Sequence, residues 1–300
     1  MGIITCQNVS KSFKRTKALN GFNATFMENR LTGLIGRNGA GKTTLLKMIV
    51  GHGTPEYGRI QVFGENPFNN LKVSANTIFV DDEMVFPAEM KLHEIIKMAG
   101  LFYDNWDGEL AERLMIYFGL NKGVFHDQLS KGKRSTFNMI FGLSARCPLT
   151  VFDEPTTGMD YSVRQDFYRA LLKEYINHPR TIILSSHLLN ELEGLLEDII
   201  LIKNGECLIH ESMEDFKAFA VGLTGSKEHI EAHVREEDVF YRKNVGSTQS
   251  YVVVRDQFSQ DAKADLKESG IQVTKVDAAD LSMHLTSETK GGIDDVFKQS

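Results

Sequence analysis

Nine consecutive residues, Gly36-Arg37-Asn38-Gly39-Ala40-Gly41-Lys42-Thr43-Thr44, fit the spacing G-x-x-x-x-G-K-[ST]. The stretch 31–35 before them is short and apolar enough for a buried strand, and 45–50 after them reads as a helix start. A strand that feeds a Gly-rich turn and then a helix N-terminus aims several backbone N–H groups at one point, where phosphate is held. The glycines let the backbone close around phosphate oxygens where a Cβ would intrude. In this pattern Lys42 reaches the β- and γ-phosphates of a nucleotide, and the Thr43 hydroxyl ligates Mg²⁺.

A second group of chemistry-bearing residues follows an apolar run at 149–152, where Asp153 and Glu154 stand side by side before Pro155. A strand ending in adjacent carboxylates sets two acids at the carboxyl edge of a sheet. Asp153 is expected in the Mg²⁺ shell, and Glu154 is expected to polarise the water that attacks the γ-phosphate. Alone, an acidic pair after an apolar run is a weak signal, because acids often begin loops. Beside Lys42 and Thr43 it is strong, since a Mg²⁺-nucleotide hydrolase needs both halves.

Twenty residues upstream of the acidic run lies Leu129-Ser130-Lys131-Gly132-Lys133. Here the chain resembles the ATP-binding-cassette (ABC) ATPase family, whose signature is commonly written L-S-G-G-Q. The order agrees over about the first 215 residues: phosphate loop, helical insert, signature, acidic strand, Thr156-Thr157-Gly158-Met159-Asp160 as the D-loop, and His187 as the switch histidine. The resemblance implies ATP and Mg²⁺ as ligands and ATP hydrolysis as the activity. It implies that Ser130 and Gly132 touch the γ-phosphate held by an opposing subunit, so that two ATPs are sandwiched between two such domains. Ser130 and Lys131 would begin a helix whose N-terminal dipole favours an anion. Asp160 is carried over with the nucleotide-contacting set, and His187 with contact to the γ-phosphate and support of Glu154. Phe13 falls where family members stack an aromatic ring on adenine.

Two departures from the family pattern stand out. Lys131 and Lys133 replace the commoner Gly and Gln of the signature. Aligning Phe79-Val80-Asp81-Asp82 with the family's Q-loop places Asp82 where a glutamine carbonyl would meet Mg²⁺. The alternative register, one residue earlier, gives that place to Asp81.

The functional expectation from the resemblance is the ATPase subunit of a membrane transporter, paired with separate transmembrane permease subunits and with a second ATPase subunit, identical or not. It would sit in the cytoplasm on the inner face of the cell membrane. One cassette with a small C-terminal appendage is similar to the stand-alone ATPases of exporters. The alternative is a non-transport ABC ATPase of the translation or chromosome-maintenance type. Those carry two cassettes with basic linkers, or long coiled coils, and neither feature occurs in this sequence. A small-molecule kinase would share the phosphate loop but have no use for the signature and D-loop.

Composition sets the outer bounds. A charged fraction of 25% and a hydrophobic fraction of 42% are ordinary for a globular protein. A net charge of −6 argues against a general nucleic-acid partner. Three widely separated cysteines, Cys6, Cys147 and Cys207, fit a reducing compartment rather than a disulfide framework or zinc site. The first residues lack the basic start and apolar core of a signal peptide, and no apolar run approaches the ~20 residues that span a bilayer. Any membrane role is therefore expected to come through a partner.

The elements that must position these groups follow from periodicity. Short apolar strands alternating with amphipathic helices predict an α/β ABC domain over 1–218, with strands at 3–6, 31–35, 77–80, 149–152, 181–185, 199–202 and 207–209. Asn204-Gly205 predicts a hairpin between the last two. From about 88 to 143 the pattern is helical, with apolar stripes Leu92-Ile95-Ile96-Ala99 and Leu110-Leu114-Met115-Phe118. Residues 219–300 read as a small α+β domain in the order βαββαβ, the split pattern of ferredoxin-like modules, with a loosely ordered polar tail at 287–300. His229 and His233 share a helix face without a third ligand, which reads as a solvated polar face. Trp106 is expected either as a partner contact or partly buried under the helical insert. Met84-Val85-Phe86 could be core or a grip for a transmembrane partner.

Overall fold

The computed structural model describes residues 2–246 and 248–287. It divides into two compact units, Met1–His210 and Glu211–Ser300. The break lies before the expected one after 218, because the helix Met213–Ala218 packs on the first strand of the second unit.

In chain order the first unit contains β1 (Gly2–Phe13), β2 (Thr16–Met27), β3 (Leu31–Ile35), α1 (Lys42–Ile49), β4 (Tyr57–Val62), α2 (Leu71–Ala75) and β5 (Thr77–Val80). Then come α3 (Leu92–Ala99), α4 (Gly108–Tyr117), α5 (Lys131–Ala145), β6 (Leu149–Asp153), α6 (Tyr161–Asn177), β7 (Thr181–Ser186), β8 (Asp198–Lys203) and β9 (Glu206–Ser212). A six-stranded sheet runs β5-β6-β7-β3-β8-β9. Its parallel pairs β5·β6, β6·β7, β7·β3 and β3·β8 bring the carboxyl ends of these strands to one edge. All five residues of β3 and all five of β6 are buried, the continuous apolar reading expected of parallel strands covered on both faces. Asn204 and Gly205 turn β8 into β9 with φ of 51° and 77°, the left-handed pair that a two-residue hairpin requires.

A second, antiparallel sheet, β2-β1-β4, covers α1 from the other side. One apolar cluster joins Ile4, Phe22 and Phe26 of this sheet to Leu45, Leu46 and Ile49 of α1 and to Val151, Ile183 and Ile200 of the large sheet. Burial of α1 on both sides makes it a rigid mount for the loop that precedes it.

β2 and β4 have no counterpart among the expected strands. In β2 the buried residues Leu19, Phe22, Ala24 and Phe26 lose strict alternation between 19 and 22, where the pairing with β1 shifts register. β4 is an edge strand that buries only Ile60 and Val62, too few for a periodic signal. The helical insert is present as α3, α4 and α5. Residues 135–145 of α5 are buried without interruption.

The second unit contains α7 (Met213–Ala218), β10 (Ala220–Ser226), α8 (Lys227–His233), β11 (Val239–Val245), β12 (Gln249–Arg255), α9 (Gln260–Glu268), β13 (Gln272–Lys275) and α10 (Ala278–Thr286). Its sheet is antiparallel in the order β11-β12-β10-β13. Leu223, Val252 and Val254 of the sheet pack with Ile230 of α8 and Leu266 of α9. The polar tail beyond Ser287 lies outside the described residues.

Candidate functional site

The phosphate loop leaves the carboxyl end of β3, the strand between β7 and β8, and enters α1. A Cβ on Gly36 would lie 2.5 Å from the Ile202 carbonyl oxygen, and one on Gly41 would lie 2.4 Å from that of Ala18. Gly41 also has φ of 108°. Both positions therefore exclude a side chain. Gly41 is the N-cap of α1, no side chain caps that terminus, and no acid stands in its first turn. The first-turn N–H groups are left for an external anion. Arg37, Asn38, Gly39 and Thr43 are exposed around the loop, Ala40 is buried and Thr44 half-buried.

Lys42 folds back inside this loop. Its Nζ donates to the Gly36 carbonyl at 2.7 Å and to that of Arg37 at 3.4 Å, and lies 3.1 Å from Glu154 Oε1. Asp153, the buried last residue of β6, accepts at Oδ1 from Ser185 Oγ at 2.5 Å. The same Ser185 hydroxyl accepts the Glu154 N–H at 2.9 Å. One side chain of β7 thus sets the spacing of both acids, and sequence reasoning missed it. The only signal was its place two residues before His187 at a strand end.

Glu154 has φ of 45°, a left-handed conformation that costs a non-glycine residue about 1 kcal/mol. Its carbonyl accepts from the Thr157 N–H at 3.2 Å and from Thr157 Oγ1 at 2.8 Å, which holds the turn. The side chain is gripped at Oε2 by His187 Nδ1 at 2.9 Å. A carboxylate only accepts, so Nδ1 carries the proton and Nε2 is left to other partners. Oε1 is buried and meets only the Lys42 ammonium, 3.1 Å away and outside hydrogen-bond geometry. Once Lys42 turns to a bound phosphate, this acceptor is the position where a water could be held and deprotonated.

Ser130 is the exposed N-cap of α5, and its hydroxyl caps no N–H of its own helix. Gly132 touches the D-loop so closely that a Cβ would lie 2.5 Å from the Gly158 carbonyl oxygen. Ser135 Oγ donates to the Thr157 carbonyl at 2.9 Å, a second tie between signature helix and D-loop. Asp160 is the exposed N-cap of α6. Phe13 ends β1 with its ring 57% exposed and Lys11 Nζ 5.7 Å from the ring centre. An exposed ring at a strand end is free to stack on a planar base.

At the Q-loop the two aspartates point to different partners. Asp82 is half-exposed and faces Lys131 of the signature at 3.7 Å. Asp81 caps its own loop, accepting the Glu83 N–H at 3.1 Å, while its carbonyl accepts from Asn138 of α5 at 3.0 Å. Burial raises the Asp81 carboxyl above its ordinary value; Lys47 opposes this, and the charges of Glu83, Asp153 and Asp82 add to it. Asp81 thus shares its field with Asp153, whereas the expected metal ligand Asp82 is turned toward the signature.

The weaker sequence candidates resolve into structural roles. His229 Nδ1 is bonded to the Ser269 carbonyl and His233 Nδ1 to that of His229. Trp106 is half-buried against Phe141. Phe86 packs on His126, Phe137 and Phe141, while Val85 beside it is 84% exposed. Among the described residues no group of three His, Cys, Asp or Glu side chains could hold a metal ion. A Mg²⁺ ion at the loop fits the Thr43 hydroxyl and the Asp153 carboxylate, with phosphate oxygens and water completing an oxygen shell.

Together these features define a nucleotide-hydrolysing cassette, and residues 19–157 match the ABC transporter family model. That stretch of the first unit is an ABC-family ATPase domain. Across 211 residues the chain is 29% identical to the bacitracin transport ATP-binding protein BcrA of Bacillus licheniformis, covering 69% of this chain and 68% of that one. Similarity to the ABC transporter ATP-binding protein YhaQ of Bacillus subtilis (strain 168) is 25% over 293 residues, 94% of this chain and 96% of that one, and so spans both units. Among solved structures, the dimeric post-hydrolysis ATP-binding cassette MJ0796 bound to ADP and phosphate shares the fold. It superposes with a TM-score of 0.62 at 20% identity, over 70% of this chain and 98% of that one.

Proposed function

We propose that this chain couples ATP hydrolysis to transport, in the export direction, through separate membrane-spanning subunits, working as one of two cassettes that close on ATP and Mg²⁺. The observation that carries the two-cassette reading is the uncapped, exposed Ser130 at the start of α5, joined through Gly132 to the D-loop. This terminus is built to receive an anion and stays open to a second chain. The similarity to BcrA, a bacitracin transport ATP-binding protein, supports a transport partner. Among the described residues no helix is long and apolar enough to cross a membrane, so the reading places this subunit on the inner membrane face by way of its permease.

In this reading Lys42 leaves Glu154 for the β- and γ-phosphates, and the first-turn N–H groups of α1 hold the same oxygens. Mg²⁺, when bound, neutralises phosphate charge that develops during transfer. Glu154 Oε1 accepts the proton of a water whose oxygen bonds to the γ-phosphorus as the bond to ADP breaks. His187 holds the carboxylate in line through Oε2. Asp81 takes the Q-loop position.

Sizing the Glu154→Gln protein with ATP-Mg²⁺ and with ADP-Mg²⁺ tests dimerisation. Dimer is expected with ATP alone, and Gly132→Ala is expected to abolish it, because the added Cβ displaces the signature from the D-loop. A dimer equally stable with either nucleotide would overturn the two-cassette reading. Co-purification from membranes with a hydrophobic subunit tests the transport role.

A further inference from the structure

A cleft of about 550 Å³ opens between α4 and α6 in the first unit. None of its lining residues belongs to the phosphate loop, the acidic strand end, the signature or the D-loop. Its volume falls in the range of small-molecule sites.

The cleft has an apolar floor and a cationic rim. Leu114 and Phe118 from the α4 side and Ala170 from α6 are only partly buried, and Leu143 closes the bottom. Four cationic side chains line it against two anionic ones, in a chain whose net charge is −6. Arg146 at its base is already spent: its guanidinium meets Glu174 at 2.6 Å and Asp107 at 2.8 Å. Those bonds tie α6, the N-cap of α4 and the end of α5 together, so the base of the cleft is a fixed wall.

The rim cations are less committed. Asp166 gives one oxygen to Tyr117 Oη at 2.8 Å and holds Arg169 only at 3.7 Å. Lys173, one helical turn beyond Arg169, has no partner among the described residues. Residues four apart on a helix share a face, so Arg169 and Lys173 present two positive charges side by side. A bare inorganic anion would leave the floor wet, and a neutral apolar molecule would leave both cations unmatched.

We propose that this cleft binds a small amphiphilic organic anion, with an aromatic or branched aliphatic body on Leu114, Phe118 and Ala170 and a carboxylate between Arg169 and Lys173. Apolar contact supplies affinity, and the charge pair sets orientation.

The test is calorimetric titration of the full chain in saturating ADP-Mg²⁺, so that the phosphate loop is not a competing anion site. The probes are 2-naphthoate, its neutral analogue 2-naphthamide, and inorganic phosphate. Saturable naphthoate binding is expected, weakened at least about tenfold by R169E/K173E, which reverses the rim, and by A170W, which fills the cleft. The amide is expected to bind several-fold more weakly, and phosphate not to compete. ATPase activity of both variants should match the parent and so report an intact fold. Equal naphthoate affinity in either variant, competition by phosphate alone, or no saturable binding at millimolar naphthoate would each overturn the proposal.

Discussion

Lys42 Nζ and Glu154 Oε1 lie 3.1 Å apart, so the lysine of the phosphate loop and the acid after β6 are paired across the carboxyl edge of the sheet. The pair is well shielded, with Lys42 6% exposed and Glu154 26%. In the proposed mechanism phosphate competes with it for the same ammonium. It also gives the carboxylate two anchors, since His187 holds the other oxygen at 2.9 Å.

Glu154→Gln keeps the shape of the side chain but removes the charge that pairs with Lys42 and, with it, the carboxylate proposed as the base. ATP binding is expected to persist or tighten, and phosphate release to fall by about two to four orders of magnitude. Equilibrium binding with a fluorescent ATP analogue, set against single-turnover phosphate release, separates the two effects.

Ser185→Ala removes the hydroxyl that donates to Asp153 and receives the Glu154 N–H. Nucleotide affinity is expected to change little, because the loop and α1 are untouched. Turnover should drop by roughly 10- to 100-fold, as for other groups that orient metal-binding and catalytic carboxylates. Ser185→Thr, which keeps the hydroxyl, should recover much of the loss. An alanine variant with parental turnover would show that the strand ends alone set the spacing of the two acids.

The Q-loop aspartates predict opposite outcomes. Asp82 pairs with Lys131 at 3.7 Å with both side chains half-exposed or more, a geometry worth little in water. Asp82→Asn should leave the Mg²⁺ dependence of ATPase activity within about twofold of the parent. Asp81→Asn keeps the cap on the Glu83 N–H but removes a charge that interacts with Asp153, and should shift the Mg²⁺ midpoint. Mg²⁺ titrations of both variants check this, and a shift confined to Asp82→Asn would return the Q-loop position to that residue.

His126 is buried between Phe86 and Phe137, with Nε2 2.7 Å from Asn138 Oδ1. Burial lowers its pKa from the ordinary 6.5; the Asn138 bond and Asp127 act the other way, and Arg134 adds to the lowering. The unfolded chain therefore binds the proton first as pH falls. Stability from the neutral ring is complete above the unfolded value and is lost as pH drops below about 6.5. Urea unfolding between about pH 8 and about pH 5.5 should show this decline, and His126→Gln should flatten it. An unchanged slope in the variant would assign the acid sensitivity to other groups.

Local stretches of sequence determined the phosphate loop, the acidic strand end, the signature and the order in which they occur. Each is a short run whose chemistry needs particular residues at fixed spacing: glycines where a Cβ collides with Ala18 or Ile202, a lysine at the first helical position, acids where an apolar strand ends. The buried strands β3, β5 and β6 were legible for the same reason, since parallel strands covered on both faces read as unbroken apolar runs. The folded sheet alone decided how these pieces meet. Parallel pairing brings the ends of β3, β6 and β7 to one edge, and only there does Ser185 bridge Asp153 to Glu154 while Lys42 and His187 take opposite oxygens of one carboxylate. The choice between Asp81 and Asp82 likewise depends on which neighbour, Asp153 or Lys131, the fold carries to each. Bulged β2 and edge strand β4 escaped sequence reading because their burial is imposed by α1 and the large sheet rather than by a regular period of their own.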